Sequence, residues 1–420
     1  MVKPLTKPVL IVGASMAGLR TAEALRRFGY SGPITAIGDE KYAPYNRPPL
    51  TKEVLVSNEV TFEAVAFAQR AATADVNWVL GNKAVGADLE AQTVTCADGQ
   101  VFAFSTLVVA TGLRPKRLTF DNDLAAGRHV IRSLDDAMAL RSELKPNAKV
   151  VVLGAGFIGC EAAATAKKLG CSVTVVAPSE LPIVRILGRE LAAEIKRRQE
   201  AEGVEFVLGH NVTDLVGSSR VEAVRLDDGR ELVCDVFIEA IGSDCNTEWL
   251  AGNNIDISNG VLTDNNLRAS KSDGGVWPNV FAVGDIARFA NPLFDDKPRR
   301  VEHWNIPTES GKHVGQIIAL ERLTTGEASP EASAAAASLA ALLTAGFKPV
   351  PSFWSDQFDI HLLAFGLLSL ADENRLVQGD ISGDCVFEYY RNGKIIGAAG
   401  IGMRSVVQGY RNAFSEKEQP

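Results

Sequence analysis

Cysteine is sparse and has no paired spacing. The 420-residue chain carries six, Cys96, Cys160, Cys171, Cys234, Cys245 and Cys385, and no two stand in C-x-x-C or C-x4-C order. That argues against a disulfide framework, a zinc site and a redox-active dithiol, and fits a reducing cytoplasm. The five histidines show no ligand spacing, so no metal is expected. Positive charge is not in excess: 43 Lys and Arg against 51 Asp and Glu leave a net −8. Nucleic acid and anionic membrane are thereby excluded as main partners. The longest apolar tract, Ala332 to Phe347, is alanine-rich and too short to span a bilayer. No signal-peptide pattern precedes the first strand, and a cytoplasmic protein is expected. What is present is a hydrophobic content of 46%, enough for two or three domains with their own cores.

The most informative stretch is Val150 to Glu161, VVVLGAGFIGCE. A run of β-branched and aliphatic residues enters Gly154-Ala155-Gly156-Phe157-Ile158-Gly159, and an alanine-rich helix pattern follows. A buried strand running into a helix through G-x-G-x-x-G is a dinucleotide site. Gly154 allows the tight turn, Gly156 lets the backbone approach a pyrophosphate, and Gly159 lets helix and strand pack closely. The helix start offers free N–H groups to the phosphates. A second, degenerate copy lies near the N-terminus. There, Val9 to Val12 enters Gly13-Ala14-Ser15-Met16-Ala17-Gly18 and a helix through Arg27. Ser15 stands where the middle glycine would be and is small enough to allow phosphate approach. The next strand, Ile34 to Ile37, ends at Gly38-Asp39-Glu40, slightly beyond the usual interval of about 20 residues for a ribose-binding acid.

Pro48 and Pro49 are expected to hold their segment extended, with Leu50 to Glu53 opening a helix around Lys52. Thr106 to Val109 reads as a buried strand ending at Ala110-Thr111-Gly112. From Lys149 to Gly242 the strand–turn–helix plan repeats, with a helix over Leu187 to Gly203 and a strand over Val236 to Ile241. Val280 to Val283, ending at Gly284-Asp285, reads as a strand closing the first sheet, so the second copy is inserted in the first. Short β patterns after an alanine helix suggest a small α+β domain at the C-terminus.

Those two turns, with the strands ending at Ala110-Thr111-Gly112 and Gly284-Asp285, resemble the FAD-dependent pyridine nucleotide-disulphide oxidoreductase superfamily over nearly the whole chain. Arg47-Pro48-Pro49-Leu50-Thr51-Lys52, Glu302-His303-Trp304 and Phe353-Trp354-Ser355-Asp356-Gln357 are similar to its ferredoxin reductase branch. That branch includes reductases of the putidaredoxin and biphenyl dioxygenase kind, with rubredoxin reductases close by. The resemblance implies a glutathione-reductase-like α/β fold. Residues 1–115 and 246–325 would form an FAD-binding Rossmann-like domain, 116–245 an inserted NAD(P)H-binding one, and 326–420 a C-terminal interface domain.

It also implies roles. Gly13, Ser15, Ala17 and Gly18 would cradle the FAD pyrophosphate, and Asp39 or Glu40 would take the ribose. Ala110, Thr111 and Gly112 would lie along the phosphate arm, and Gly284 and Asp285 at the ribityl chain. Arg47 and Lys52 would lie near the flavin, with Glu302, His303 and Trp304 also in the cofactor site. Gly154, Gly156, Phe157, Ile158 and Gly159 would receive the nucleotide pyrophosphate, with Gly242 beside the nicotinamide half. A hydride reaching flavin N5 leaves negative charge that a lysine there would stabilise. Desolvation would strip that lysine of its proton unless a carboxylate compensates, and Glu161 can supply it, making Lys52 and Glu161 the catalytic pair.

The implied activity is an NADH:ferredoxin reductase passing single electrons to an acidic 2Fe–2S ferredoxin of a Rieske oxygenase or cytochrome monooxygenase. A rubredoxin reductase is the alternative. NADH oxidases and disulfide reductases need a redox cysteine facing the flavin, and Tyr42 to Lys52 has none. An NADH-sensing relative of apoptosis-inducing factor has less support. The strand Val173 to Val176 is followed by Ala177 where an acid would hold the adenine ribose. Glu180 is the substitute, and NADH is expected over NADPH. Lys297, Arg299 and Arg300 either form a positive rim for the ferredoxin, beside Trp304 and Trp354, or solvate a loop. A monomer or a weak homodimer is expected.

Overall fold

In chain order, β1 (Val9–Val12) enters α1 (Met16–Arg27). Strand β2 (Thr106–Val109) precedes β3 (Lys149–Leu153), which enters α2 (Phe157–Lys168). Then come α3 (Val184–Ala201), β4 (Val236–Glu239), β5 (Val276–Ala282), α4 (Asn305–Thr324) and β6 (Ser352–Gln357). This computed structural model describes residues 8–57, 59–68, 70–122, 124–324 and 329–416. The chain divides into two units, residues 1–46, 66–113 and 245–351, and residues 47–65, 114–244 and 352–420.

The first unit is built on a six-stranded sheet ordered Arg268–Ser270, β5, β2, β1, Ile34–Ile37, Asn77–Val79. β1 runs parallel to both neighbours, and β5 parallel to β2. β1 and β2 are buried at every residue, which is why β1, and β2 after Thr106, read as continuous apolar runs rather than alternations. Strand order departs from β1 in both directions, so a crevice opens at the carboxyl ends of β1 and β2. Helix α4 lies directly on α1 because it presents glycines there. A Cβ on Gly311 would come 2.7 Å from Ala17 O, and one on Gly315 2.7 Å from Thr21 O.

The second unit repeats the plan in a five-stranded parallel sheet, Glu205–Leu208, Ser172–Ala177, β3, β4, Arg128–His129. It also holds a five-stranded antiparallel sheet, β6, Ile360–Gly366, Lys394–Ile401, Cys385–Arg391, Glu373–Gly379, with a helix over Arg404–Glu416.

Three expectations shift. Pro48–Thr51 is a 3-10 turn, not extended chain, with both prolines in its first positions; the fixed proline φ suits a helical first turn equally well. Helix α3 starts at Val184 rather than Leu187, and Gly188 (φ 76°, ψ 173°) interrupts it. The Leu187 carbonyl at that break accepts the Tyr389 hydroxyl at 2.8 Å. The strand expected to reach Ile241 ends at Glu239. By their contacts, residues 47–65 and 352–420 belong with the second unit. The border read at residue 326 lies outside the described residues. Among those described, no helix is long and apolar enough to cross a membrane.

Candidate active site

The second glycine turn separates three jobs. Gly154 has φ +109°, and a Cβ there would lie 2.3 Å from Ala240 O; one on Gly159 would lie 1.9 Å from Gly154 O. These two glycines let β3, β4 and the start of α2 close on each other. Gly156 differs: a Cβ there would meet nothing within 4 Å, and the residue is exposed. Gly242, beyond the end of β4, is equally open. Bare backbone therefore faces open space at the amino end of α2, where unbonded N–H groups point outward. That cradle fits a dinucleotide pyrophosphate. Ile158 is exposed on the same turn, whereas Phe157 is anchored on Phe353, ring centroids 4.9 Å apart.

The first turn has the same frame. Gly13 has φ +123° and would place a Cβ 2.0 Å from Ala110 O; Gly18 would place one 2.1 Å from Gly13 O. Ser15 is the N-cap of α1 in extended conformation. Thr111 Oγ1 donates to Asn246 O at 2.7 Å, and Asn246 Nδ2 donates back to Thr111 O at 3.0 Å, which fixes the chain after β2. Gly284 N donates to Ser310 Oγ at 2.9 Å, and a Cβ on Gly284 would lie 3.0 Å from that of Ala17. Half-buried Asp285 follows beyond β5. Asp39 is exposed, and Glu40 accepts the Tyr45 hydroxyl. The exposed Trp304 donates its indole N–H to Asn46 Oδ1 at 3.2 Å. Burial pushes the His303 imidazole down to about 4, so it is neutral near pH 7. This crevice, with a helix start and an acid at its strand ends, fits the phosphate and sugar of a second dinucleotide.

Lys52 and Glu161 meet inside the second unit. Lys52 Nζ donates to Glu161 Oε2 at 2.6 Å, their side chains 12% and 7% exposed. Lys52 sits in the break between the 3-10 turn and the short helix Glu53–Val56, and its ammonium also reaches Pro48 O and Thr51 Oγ1, both at 3.4 Å. Glu161 and Thr165 lie on one face of α2, four residues apart, and stitch that turn down. Thr51 Oγ1 donates to Glu161 Oε2 at 2.6 Å, and Thr165 Oγ1 to Thr51 O at 2.7 Å.

The other carboxylate oxygen, Oε1, accepts Ser355 Oγ at 2.7 Å. Ser355 accepts Gln357 Nε2 at 2.9 Å, and Gln357 Oε1 accepts Gln199 Nε2 at 2.6 Å. The sequence reading missed Thr51, Gln199, Ser355 and Gln357 as partners. The signal for two of them was present: Phe353, Ser355 and Gln357 are the buried alternate positions of β6, and polar residues on a core face need partners.

The remaining candidates have local partners. Arg47 Nη1 donates to Arg132 O at 2.7 Å. Exposed Glu180 pairs with Arg189. Arg299 pairs with Asp295, and Arg300 with Glu302 at 2.7 Å, so these arginines bring little net charge to a rim. All six cysteines are free, and burial pushes the Cys160 thiol beside Glu161 up to about 12, which leaves it protonated and inert. His210 lies 2.9 Å from Asp227 and 3.6 Å from Asp228, a surface grouping that sequence spacing hid.

Comparison with known proteins agrees with this architecture. The pyridine nucleotide-disulphide oxidoreductase family matches residues 7–311, and a reductase C-terminal family matches residues 352–420. The ferredoxin–NAD(+) reductase component of the anthranilate 1,2-dioxygenase system of Burkholderia cepacia is 31% identical, over 98% of this chain and 95% of that one. The rubredoxin-NAD(+) reductase of Ectopseudomonas oleovorans is 32% identical, over 88% of each. The reductase in the covalent putidaredoxin reductase–putidaredoxin complex superimposes with a TM-score of 0.85 at 26% identity, covering 98% of this chain and 93% of that one. The chain belongs to the pyridine nucleotide-disulphide oxidoreductase family.

Proposed function

We propose that this protein is an FAD-dependent NADH:ferredoxin reductase, taking a hydride from NADH and delivering single electrons to a 2Fe–2S ferredoxin of an oxygenase system. One observation carries the reading. Helix α2 opens on the exposed Gly156 cradle and, one turn on, holds Glu161 in an ion pair with Lys52. Full-length similarity to ferredoxin–NAD(+) reductase components supports it. The three-domain division, at residues 115/116, 245/246 and 325/326, is part of the proposal.

In this reading Gly13, Ser15, Ala17, Gly18, Asp39 or Glu40, Ala110, Thr111, Gly112, Gly284, Asp285 and Trp304 hold FAD. Gly154, Gly156, Phe157, Ile158, Gly159 and Gly242 hold the nicotinamide nucleotide. FAD, when bound, accepts two electrons as hydride and releases them one at a time. The chain's own part is alignment and field. The Lys52 ammonium offsets the charge gained on reduction, and Glu161 holds that ammonium in place through the 2.6 Å ion pair. NADH is preferred because no arginine follows Ala177 immediately: the first, Arg185, lies eight positions on, at the start of α3, and Arg189 is held by Glu180. Trp304 in the first unit and Trp354 in the second are each candidates for apolar contact with the acceptor, while Arg299 and Arg300 are paired with Asp295 and Glu302. Rubredoxin remains the competing acceptor, since a rubredoxin reductase is as similar as the ferredoxin reductases.

The test is stopped-flow reduction of the flavin-loaded protein by NADH, then turnover with 2Fe–2S and rubredoxin acceptors. Lys52→Met is expected to retain FAD and slow flavin reduction about 100-fold, the scale of losing one electrostatic donor. A wild-type rate in that variant removes the pair from the mechanism. Turnover with rubredoxin alone transfers the assignment to the second reading.

A further inference from the structure

We propose that Ser355 and Gln357 are positioning residues for the Lys52–Glu161 pair, so that the first strand of the C-terminal sheet fixes the aim of the carboxylate. The proposal deepens the reading above and rests on Lys52 acting in hydride transfer.

The direction of the hydrogen bonds carries it. Gln199 Nε2 donates to Gln357 Oε1 at 2.6 Å, Gln357 Nε2 to Ser355 Oγ at 2.9 Å, and Ser355 Oγ to Glu161 Oε1 at 2.7 Å. A hydroxyl has one proton. With Gln357 Nε2 directed at the Ser355 oxygen, that proton is left for Glu161. Ser355 and Gln199 are 0% exposed and Gln357 is 1% exposed, so water has no access to take over any link. The two carboxylate oxygens are thereby divided: Oε2 serves Lys52 and Thr51, while Oε1 is held by Ser355. A carboxylate bonded on both oxygens cannot rotate away from the lysine without breaking one of those bonds. β6 also sets Phe353 against Phe157 at the start of α2. One strand therefore braces both the amino end of the nucleotide helix and the carboxylate one turn along it.

The experiment uses the flavin-loaded protein. Ser355→Ala removes the donor to Oε1 and leaves the carboxylate free to turn. Flavin reduction at saturating NADH is then expected to slow about tenfold, the scale of one hydrogen bond to a charged group, with the Kd for NADH unchanged. Ser355→Thr keeps the hydroxyl and is expected to restore the wild-type rate. A readout independent of turnover is the carboxyl 13C resonance of Glu161, assigned with Glu161→Gln, which is expected to move in Ser355→Ala and to return in Ser355→Thr. If Ser355→Ala does not fold, Gln357→Leu gives a smaller change in the same direction, since the Ser355 hydroxyl is then free to turn. The proposal is overturned if the rate and the Glu161 resonance stay in place in these variants while Glu161→Gln still slows reduction. Unchanged reduction in both Glu161→Gln and Lys52→Met overturns the reading of the pair itself, and this proposal with it.

Discussion

At Gly13 and Gly154 an added Cβ would lie 2.0 and 2.3 Å from the carbonyl just past a strand, and at Gly18 and Gly159 it would lie 2.1 and 1.9 Å from the turn's own first carbonyl. The two turns are thus alike at their outer glycines, one per unit. They part at the middle position, where one has Ser15 and the other Gly156, whose Cβ would meet nothing within 4 Å. The outer glycines are demanded by the protein against itself. The middle one is demanded by nothing in the protein. A G-x-G-x-x-G match therefore mixes two kinds of information: its first and last glycines report the fold, and only its middle glycine reports a ligand.

The largest effect should come from the outer positions. Gly159→Ala and Gly18→Ala keep an allowed backbone conformation, so the damage is purely steric, against a backbone carbonyl that cannot turn aside. Overpacking of this kind costs about 3 kcal/mol or more. Urea unfolding of each variant should show that loss, or no folded protein should be recovered. A midpoint matching wild type in either would mean that helix and strand do not approach as closely as described.

The same comparison explains what could be read from the sequence. Both parallel sheets were legible because strands such as Val9–Val12 and the Val150 to Leu153 stretch of β3 are buried on both faces and read as unbroken apolar runs. The Glu373–Gly379 strand was not, since most of its residues are exposed at a sheet edge. Lys52 and Glu161 were legible only through resemblance; 109 residues separate them, and no spacing rule links such a pair. The 3-10 turn at Pro48–Thr51 was misjudged because proline fixes φ but leaves ψ to the fold. Gly311 and Gly315 were passed over because mid-helix glycines carry no signature until the facing helix is known.

The smaller effect belongs to the middle positions, and there the two turns should respond differently. Gly156→Ala adds a methyl group to open space at a helix N-cap, so folding stability should change by no more than about 1 kcal/mol, the usual cost of a poorer cap. NADH affinity should nevertheless fall about tenfold if a pyrophosphate lies against that backbone, because the ligand is the only body the new Cβ can meet. Ser15→Gly is the converse. Serine and glycine differ by only a few tenths of a kcal/mol as N-caps, and the first turn already accommodates a Cβ, so both stability and FAD retention should stay near wild type. Urea unfolding separates the two variants' stability, and nucleotide titration with flavin retention on dialysis separates their binding. Unchanged NADH affinity in Gly156→Ala would mean that the open glycine is not where the nucleotide rests, and the distinction between fold-bearing and ligand-bearing glycines would lose its support.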